Sequence, residues 1–354
     1  DITGISFEED VLANSYIGLN PSYDESQNAY PIRISVKEGT DMTSLAPIFE
    51  LTPGATISPA SGSVQNFTTP VRYTVTSEDK AWHRVYAITA REQKASNIPT
   101  TYHFEKVRIM QNVWQEFYEE QDSGNELTWA SGNKGFKWAM SEAATEDYPT
   151  TQIDNGKTGK CVKLETRLTG DLGNMVGMPI AAGNLFIGSF DMLNAITNPL
   201  SATRFGTPFY NKPLRLTGYY KYKAGEQFYE NGEYTSRKDI FNIYAIFYDG
   251  VKYDSAGKGT DVTLDGNLPN QNYEHSSMVA LALVSNPQET EGDEWKFFDI
   301  PFDYQRYGKK IDEARLAKGE YKIGIIFASS KDGATFEGAP GSTLLIDEVE
   351  LIYE

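Results

Sequence analysis

The sequence predicts an all-β protein of two parts, a small immunoglobulin-like sandwich followed by a larger jelly-roll sandwich. Three observations carry that prediction. Apolar residues recur at period two in short runs, which marks strands with one buried face. Gly, Pro, Asn and Asp separate the runs, supplying turn chemistry. Helical composition is confined to Lys309–Lys318 (KKIDEARLAK), enough for two or three turns at most.

Taken in order, the first strands are Ile32–Val36, Val71–Val75 and Val85–Thr89. The segment Glu92–Thr100 is polar and closes on Pro99, so the boundary is set at residue 97. The part before it, 1–97, has the size of an immunoglobulin-like sandwich. The part after it, 98–354, suits one jelly roll. Its strands are Leu214–Tyr222, Ile240–Tyr248, Met278–Val284, Phe297–Phe302, Tyr321–Ala328 and Thr343–Tyr353.

Composition excludes several functions. Of 354 residues, 32 are Lys or Arg and 49 Asp or Glu, a net charge of −17. Such a chain is repelled by nucleic acid and by anionic lipid. No run reaches the length of apolar residues that spans a membrane. Cys161 is the lone cysteine and His83, His103 and His275 are scattered, which leaves neither a disulfide framework nor a thiolate or histidine metal motif. Asp1 in the place of an initiator Met fits a mature or truncated form of an exported protein, and equally any excised piece of a longer chain.

The chain is rich in aromatics, with 22 Tyr, 18 Phe and 5 Trp. A sandwich binds sugars by stacking pyranose faces on such rings while Asn, Asp, Arg and Lys meet the hydroxyls. Alternation sorts Leu214–Lys223 into Leu214, Leu216, Gly218, Tyr220 and Tyr222 on one face and Arg215, Thr217, Tyr219, Lys221 and Lys223 on the other. The next strand gives Phe241, Ile243, Ala245 and Phe247 as a core stripe, with Asn242, Tyr244, Ile246 and Tyr248 on a face expected to be partly wet. Trp129 and Trp138 lie in a polar segment, LTWASGNKGFKWAM, where a Trp serves as a platform. Trp114 and Trp295 read as core, and Trp82 as part of a hairpin in the first domain. The expected ligand contacts are Trp129, Trp138, Tyr220, Tyr222, Tyr244 and Arg204.

Stretches of the first part resemble small immunoglobulin-like domains of surface lipoproteins from gut-type Gram-negative bacteria. They are Ile32–Val36 with Gly39–Leu45, Gly54–Gly62, Asn66–Thr68, Val71–Asp79 and Tyr86–Ile88. The second part resembles the putative carbohydrate metabolism domain (PCMD) family. There the carrying residues are Ala181–Gly188 (AAGNLFIG), Arg204–Phe209, Pro213–Tyr222, Ala328–Ser342 and Leu345–Val349. The resemblance implies a jelly roll like a carbohydrate-binding module on an exported protein, held at the cell surface by an N-terminal lipid anchor or free in the periplasm. The partner it implies is a polysaccharide or oligosaccharide, within a surface glycan-utilisation complex.

The second part opens on His103-Phe104-Glu105 and closes on Ile346-Asp347, similar to the ends of calcium-bearing jelly-roll modules. That similarity implies a structural Ca²⁺ held by Glu105, Asp347 and backbone carbonyls, within a shell of six to eight oxygens. The acidic segment Asp254–Asn267 departs from the calcium-loop pattern and reads as an exposed hairpin or insertion.

The leading function is glycan binding without catalysis. A glycoside hydrolase needs two carboxylates flanking one bond; Glu165, Asp239 and Glu337 are available, and nothing in the sequence pairs them. A polysaccharide lyase with a Tyr base and a scaffold with no sugar site are the remaining alternatives.

Overall fold

The computed structural model describes residues 1–13, 17–121 and 124–354. They divide into two compact units, Asp1–Ala95 together with Glu354, and Ser96–Tyr353. Both units are β-structures, as the alternating patterns predict.

In the first unit, strand Tyr30–Lys37 runs parallel to His83–Gln93, which pairs antiparallel with Val71–Thr76 and through it with Thr56–Ser58. Strands Ile2–Ser6 and Ile48–Leu51 form a second, two-stranded sheet. Alternation turns Ile32, Ile34 and Val36 inward, where they meet Phe49, Tyr73, Val75 and Ile88 in one immunoglobulin-like core.

The second unit packs two antiparallel sheets face to face. One has the order Thr150–Ile153, Cys161–Glu165, Thr343–Tyr353, Pro213–Lys223, Lys296–Pro301. The other runs Asn184–Phe186, Tyr321–Ala328, Asn242–Asp249, Met278–Leu283. Between them, Leu164, Leu216, Tyr220, Tyr222 and Ile346 of the first sheet meet Ile243, Ala245, Phe247, Ile325 and Phe327 of the second. This is the aligned-sandwich solution for strands with alternating apolar residues.

The second sheet is also covered on its other side. Tyr244, Ile246, Tyr248 and Ile326 pack there under Phe205, Leu264, Leu268 and Tyr273. The expectation of a partly wet face is therefore corrected, because loops from 188–205 and 262–278 supply a third layer. Burial on both sides explains why Asn242–Tyr248 is buried at every position.

The helix expected over Lys309–Lys318 is one turn, Glu313–Leu316. Asp312 starts it by accepting from the Ala314 and Arg315 amides, and Gly319, at φ +69°, follows its end. Three further short helices, Asn133–Ala139, Gly170–Met175 and Met192–Thr197, lie where the sequence shows no helical period. Among the described residues no helix is long and apolar enough to cross a membrane.

Candidate functional site

A pocket opens where the cover of the second sheet is incomplete. Asn242 and Tyr244 on one strand and Ile326 and Ala328 on its neighbour contribute to its wall. Phe136 and Trp138 come from helix Asn133–Ala139, Phe190 and Met192 from the segment before and within helix Met192–Thr197, and Phe336 from the 328–342 loop.

Polar side chains hold these pieces in place. Asn133, buried at the start of its helix, donates its amide to the Thr150 carbonyl at 2.8 Å and accepts from the Thr150 amide at 3.1 Å. Asn184 accepts from the Gly132 amide at 2.8 Å. Together they fasten the Trp138 helix to the sandwich. Asp191 caps the second helix, accepting from the Leu193 and Asn194 amides at 2.9 and 3.3 Å. Gly188, at φ +151°, starts the strand that leads into it, and a Cβ there would run into the Arg204 carbonyl. Only glycine fits that approach.

The 328–342 loop is held by a buried carboxylate. Asp239 Oδ2 accepts from Ser330 Oγ at 2.6 Å, Ser342 Oγ at 2.7 Å and the Ala339 amide at 2.7 Å. Thr166 Oγ1 extends the network to Ser329 and Ser330 at 2.8 and 2.5 Å. Burial pushes the Asp239 carboxyl above its usual range, and the hydrogen bonds work against that shift. Ser330 and Lys331 then form part of the pocket wall.

The predicted contacts divide sharply. Trp138 and Tyr244 share this pocket. Trp138 is 38 % exposed, whereas Tyr244 is buried at 2 % and burial holds its hydroxyl neutral far above the ordinary range. Trp129 is a core residue, 1 % exposed and packed against Tyr102 and Phe104 at ring separations of 5.0 and 5.7 Å. Tyr220 and Tyr222 face the sandwich core, both flanking Phe241. Their rings are closed to a ligand by the opposing sheet. Arg204 is exposed, but it lies between Thr203 and Phe205, the two residues of its strand that line the pocket, so alternation turns it away. Phe136, Asn184, Phe190 and Phe336 were missed. Of these, only Asn184 stands in a stretch the sequence marks as distinctive, Gly183-Asn184-Leu185-Phe186.

On the outer face of the other sheet, Tyr219 pairs with Phe297 at a ring separation of 5.2 Å, and Lys221 stands over Trp295 at 5.0 Å. Trp295 is half-buried at this face, and not in the core as its sequence suggests. Trp82 is exposed on its hairpin.

The carboxylate candidates have different surroundings. Glu165 is held by Lys163 at 3.0 Å and Arg167 at 3.1 Å, beside a separate cleft. Asp239 is enclosed, and Glu337 borders a third depression.

Glu105 and Asp347 converge on one loop, residues 156–160. Glu105 Oε1 accepts from the Lys160 amide at 2.8 Å and Asp347 Oδ2 from the Thr158 amide at 3.0 Å. A Cβ on Gly156 would stand 2.6 Å from the Lys160 carbonyl oxygen and 2.8 Å from Asp347 Oδ2. Glycine at 156 therefore lets the loop pack directly on a carbonyl and the Asp347 carboxylate, oxygens of the hard type that calcium takes. Asp347 is fully buried, and burial raises its carboxyl to about 6. Cys161 is buried nearby, its thiol pushed up to about 12, which leaves it an inert core residue.

A family profile described as "Putative carbohydrate metabolism domain" matches residues 103–352, and one described as "SGBP, N-terminal" matches residues 19–90. The solved structures that resemble the chain include two described as putative glycoside hydrolases. That from Bacteroides thetaiotaomicron VPI-5482 is 44% identical over 100% of this chain and 96% of its own, with a TM-score of 0.65. That from Bacteroides vulgatus ATCC 8482 is 50% identical over 73% of this chain and 100% of its own, with a TM-score of 0.68. No curated protein matches the chain.

Proposed function

We propose that this chain, which belongs to the putative carbohydrate metabolism domain family, binds a glycan without cleaving it. The observation that carries the reading is the pocket beside Trp138, a concave site with aromatic walls and one half-exposed indole. Stacking on Trp138 supplies the sugar contact, and the pocket fixes its position. Affinities in the micromolar-to-millimolar range, about 4–8 kcal/mol, suit one such contact.

Hydrolysis is the second reading, favoured by the description both similar structures carry. It requires two carboxylates across one bond. Among the described residues, those lining the Trp138 pocket include neither Asp nor Glu, which supports binding over cleavage there. The adjoining cleft has Glu142, Asp147 and Glu165, and Glu165 is already committed to two cations.

The same reading has the protein at the cell surface, lipid-anchored, as part of a glycan-utilisation complex; the N-terminal match to the profile described as "SGBP, N-terminal" supports it. Glu105, Asp347 and the carbonyls of the 156–160 loop would hold a structural Ca²⁺ that ties the first and last segments of the jelly roll together. When bound, the ion supplies charge neutralisation for a buried carboxylate and no chemistry on the ligand.

A glycan array followed by calorimetry on the hits tests binding, with Trp138→Ala expected to abolish the heat. Release of reducing ends from any polysaccharide in a panel would favour the hydrolase instead.

A further inference from the structure

We infer that the depth of the Trp138 pocket receives an aryl group, so that the glycan recognised carries an aromatic substituent. The inference rests on the proposed function in one respect, that a sugar carries the group. The pocket is about 170 Å³ in volume. An engineered apolar cavity of about 150 Å³ stays dry and holds benzene, so this space matches one aromatic ring.

The chemistry of the wall points the same way. Phe136, Phe186, Phe190, Phe205 and Phe336 join Trp138 around it. Most polar side chains among them are already engaged within the protein. Asn184 accepts from the Gly132 amide and donates to the Ala182 carbonyl, Asn242 donates to the Tyr273 hydroxyl at 2.8 Å, and Ser330 belongs to the Asp239 network. A bare pyranose buried here would lose the hydration of its hydroxyls with little in exchange. A ring with no hydroxyl to satisfy avoids that loss.

Charge agrees. Among the described residues Lys331, exposed, is the one charged residue on the wall, so the site complements a neutral or anionic occupant and disfavours a cation. Met175 and Leu193, on helices that contribute Gly173 and Met192 to the wall, are each 82% exposed.

The test is calorimetry on the whole chain with paired methyl and phenyl β-glycosides of glucose, galactose and xylose, and with benzyl alcohol as an aryl probe without sugar. The phenyl member of at least one pair is expected to bind about tenfold more tightly than the methyl member. Ala195→Trp, which fills the pocket from a half-buried wall position, is expected to erase that gain; Ala334→Phe, from an exposed one, repeats the test if the first variant does not fold. Equal affinity within every pair, no heat with any phenyl compound, or a phenyl preference that survives a folded pocket-filling variant would overturn the assignment. Sugar binding that ignores the aryl group would remove the assignment and leave the glycan reading. Benzyl alcohol bound as tightly as the phenyl glycosides, and displaced by the variant, would support the aryl pocket while removing the glycan reading.

Discussion

Ser330 donates its hydroxyl to Asp239 Oδ2 at 2.6 Å across 91 positions of sequence, and this buried bond ties the 328–342 loop to the edge of the pocket. Asp239→Ala would take this acceptor from the Ser342 hydroxyl and the Ala339 amide and leave the Ser330 hydroxyl only Thr166. The expected cost is about 3–5 kcal/mol in denaturant unfolding, with ligand binding weakened in whatever fraction stays folded.

Trp129 and Trp138 separate core from site. Trp129→Ala should lower stability by about 3–5 kcal/mol, since it empties an aromatic cluster. Trp138→Ala should cost clearly less than Trp129→Ala, because its ring is already partly in water, while removing glycan binding. Chemical denaturation and calorimetry on both variants check the contrast; equal stability losses would contradict it.

Asp347 gives a pH signature. Its carboxyl is raised from 3.8 to about 6 in the folded state, so the folded protein holds the proton more tightly than the unfolded chain. Stability from this group therefore falls as pH rises from about 4 through 6, and the loss is complete above that. In chelator, Asp347→Asn should gain stability relative to the parent on going from pH 4.5 to 7.5. Added Ca²⁺ should raise the melting temperature of the parent at pH 7.5 and leave the variant unmoved. A parent protein insensitive to both chelator and Ca²⁺ would remove the metal proposal.

Gly188→Ala should destabilise by more than about 1 kcal/mol, as the new methyl group meets the Arg204 carbonyl at a backbone angle that alanine avoids. The strand it starts leads to Phe190, so binding should weaken along with the melting temperature.

The alternation of apolar residues was enough to place most of the framework. Strand Tyr321–Ala328 and strand Thr343–Tyr353 have the limits their patterns predict, and Pro213–Lys223 differs from Leu214–Tyr222 by one residue at each end. Period two is a local property of the backbone, so a short window of sequence contains it. The same rule separated Tyr219 from Tyr220 and Tyr222 correctly, yet it has no means of saying which face meets a second sheet. Tyr220 and Tyr222 went to the core and Tyr219 to the outside.

The candidate site was less legible because distant segments build it. Tyr244 is enclosed by residues near 205, 264 and 273, and Trp138 reaches the pocket on a helix too short to show a period. The sequence by itself determined an acidic all-β chain, its strands and which side chains share a face, since charge and alternation are local. Only the tertiary structure decided which faces are closed, which two of six predicted contacts meet in a pocket, and that Glu105 and Asp347 share one loop. Those outcomes depend on loop closure over dozens of residues, and no periodicity in the sequence encodes it.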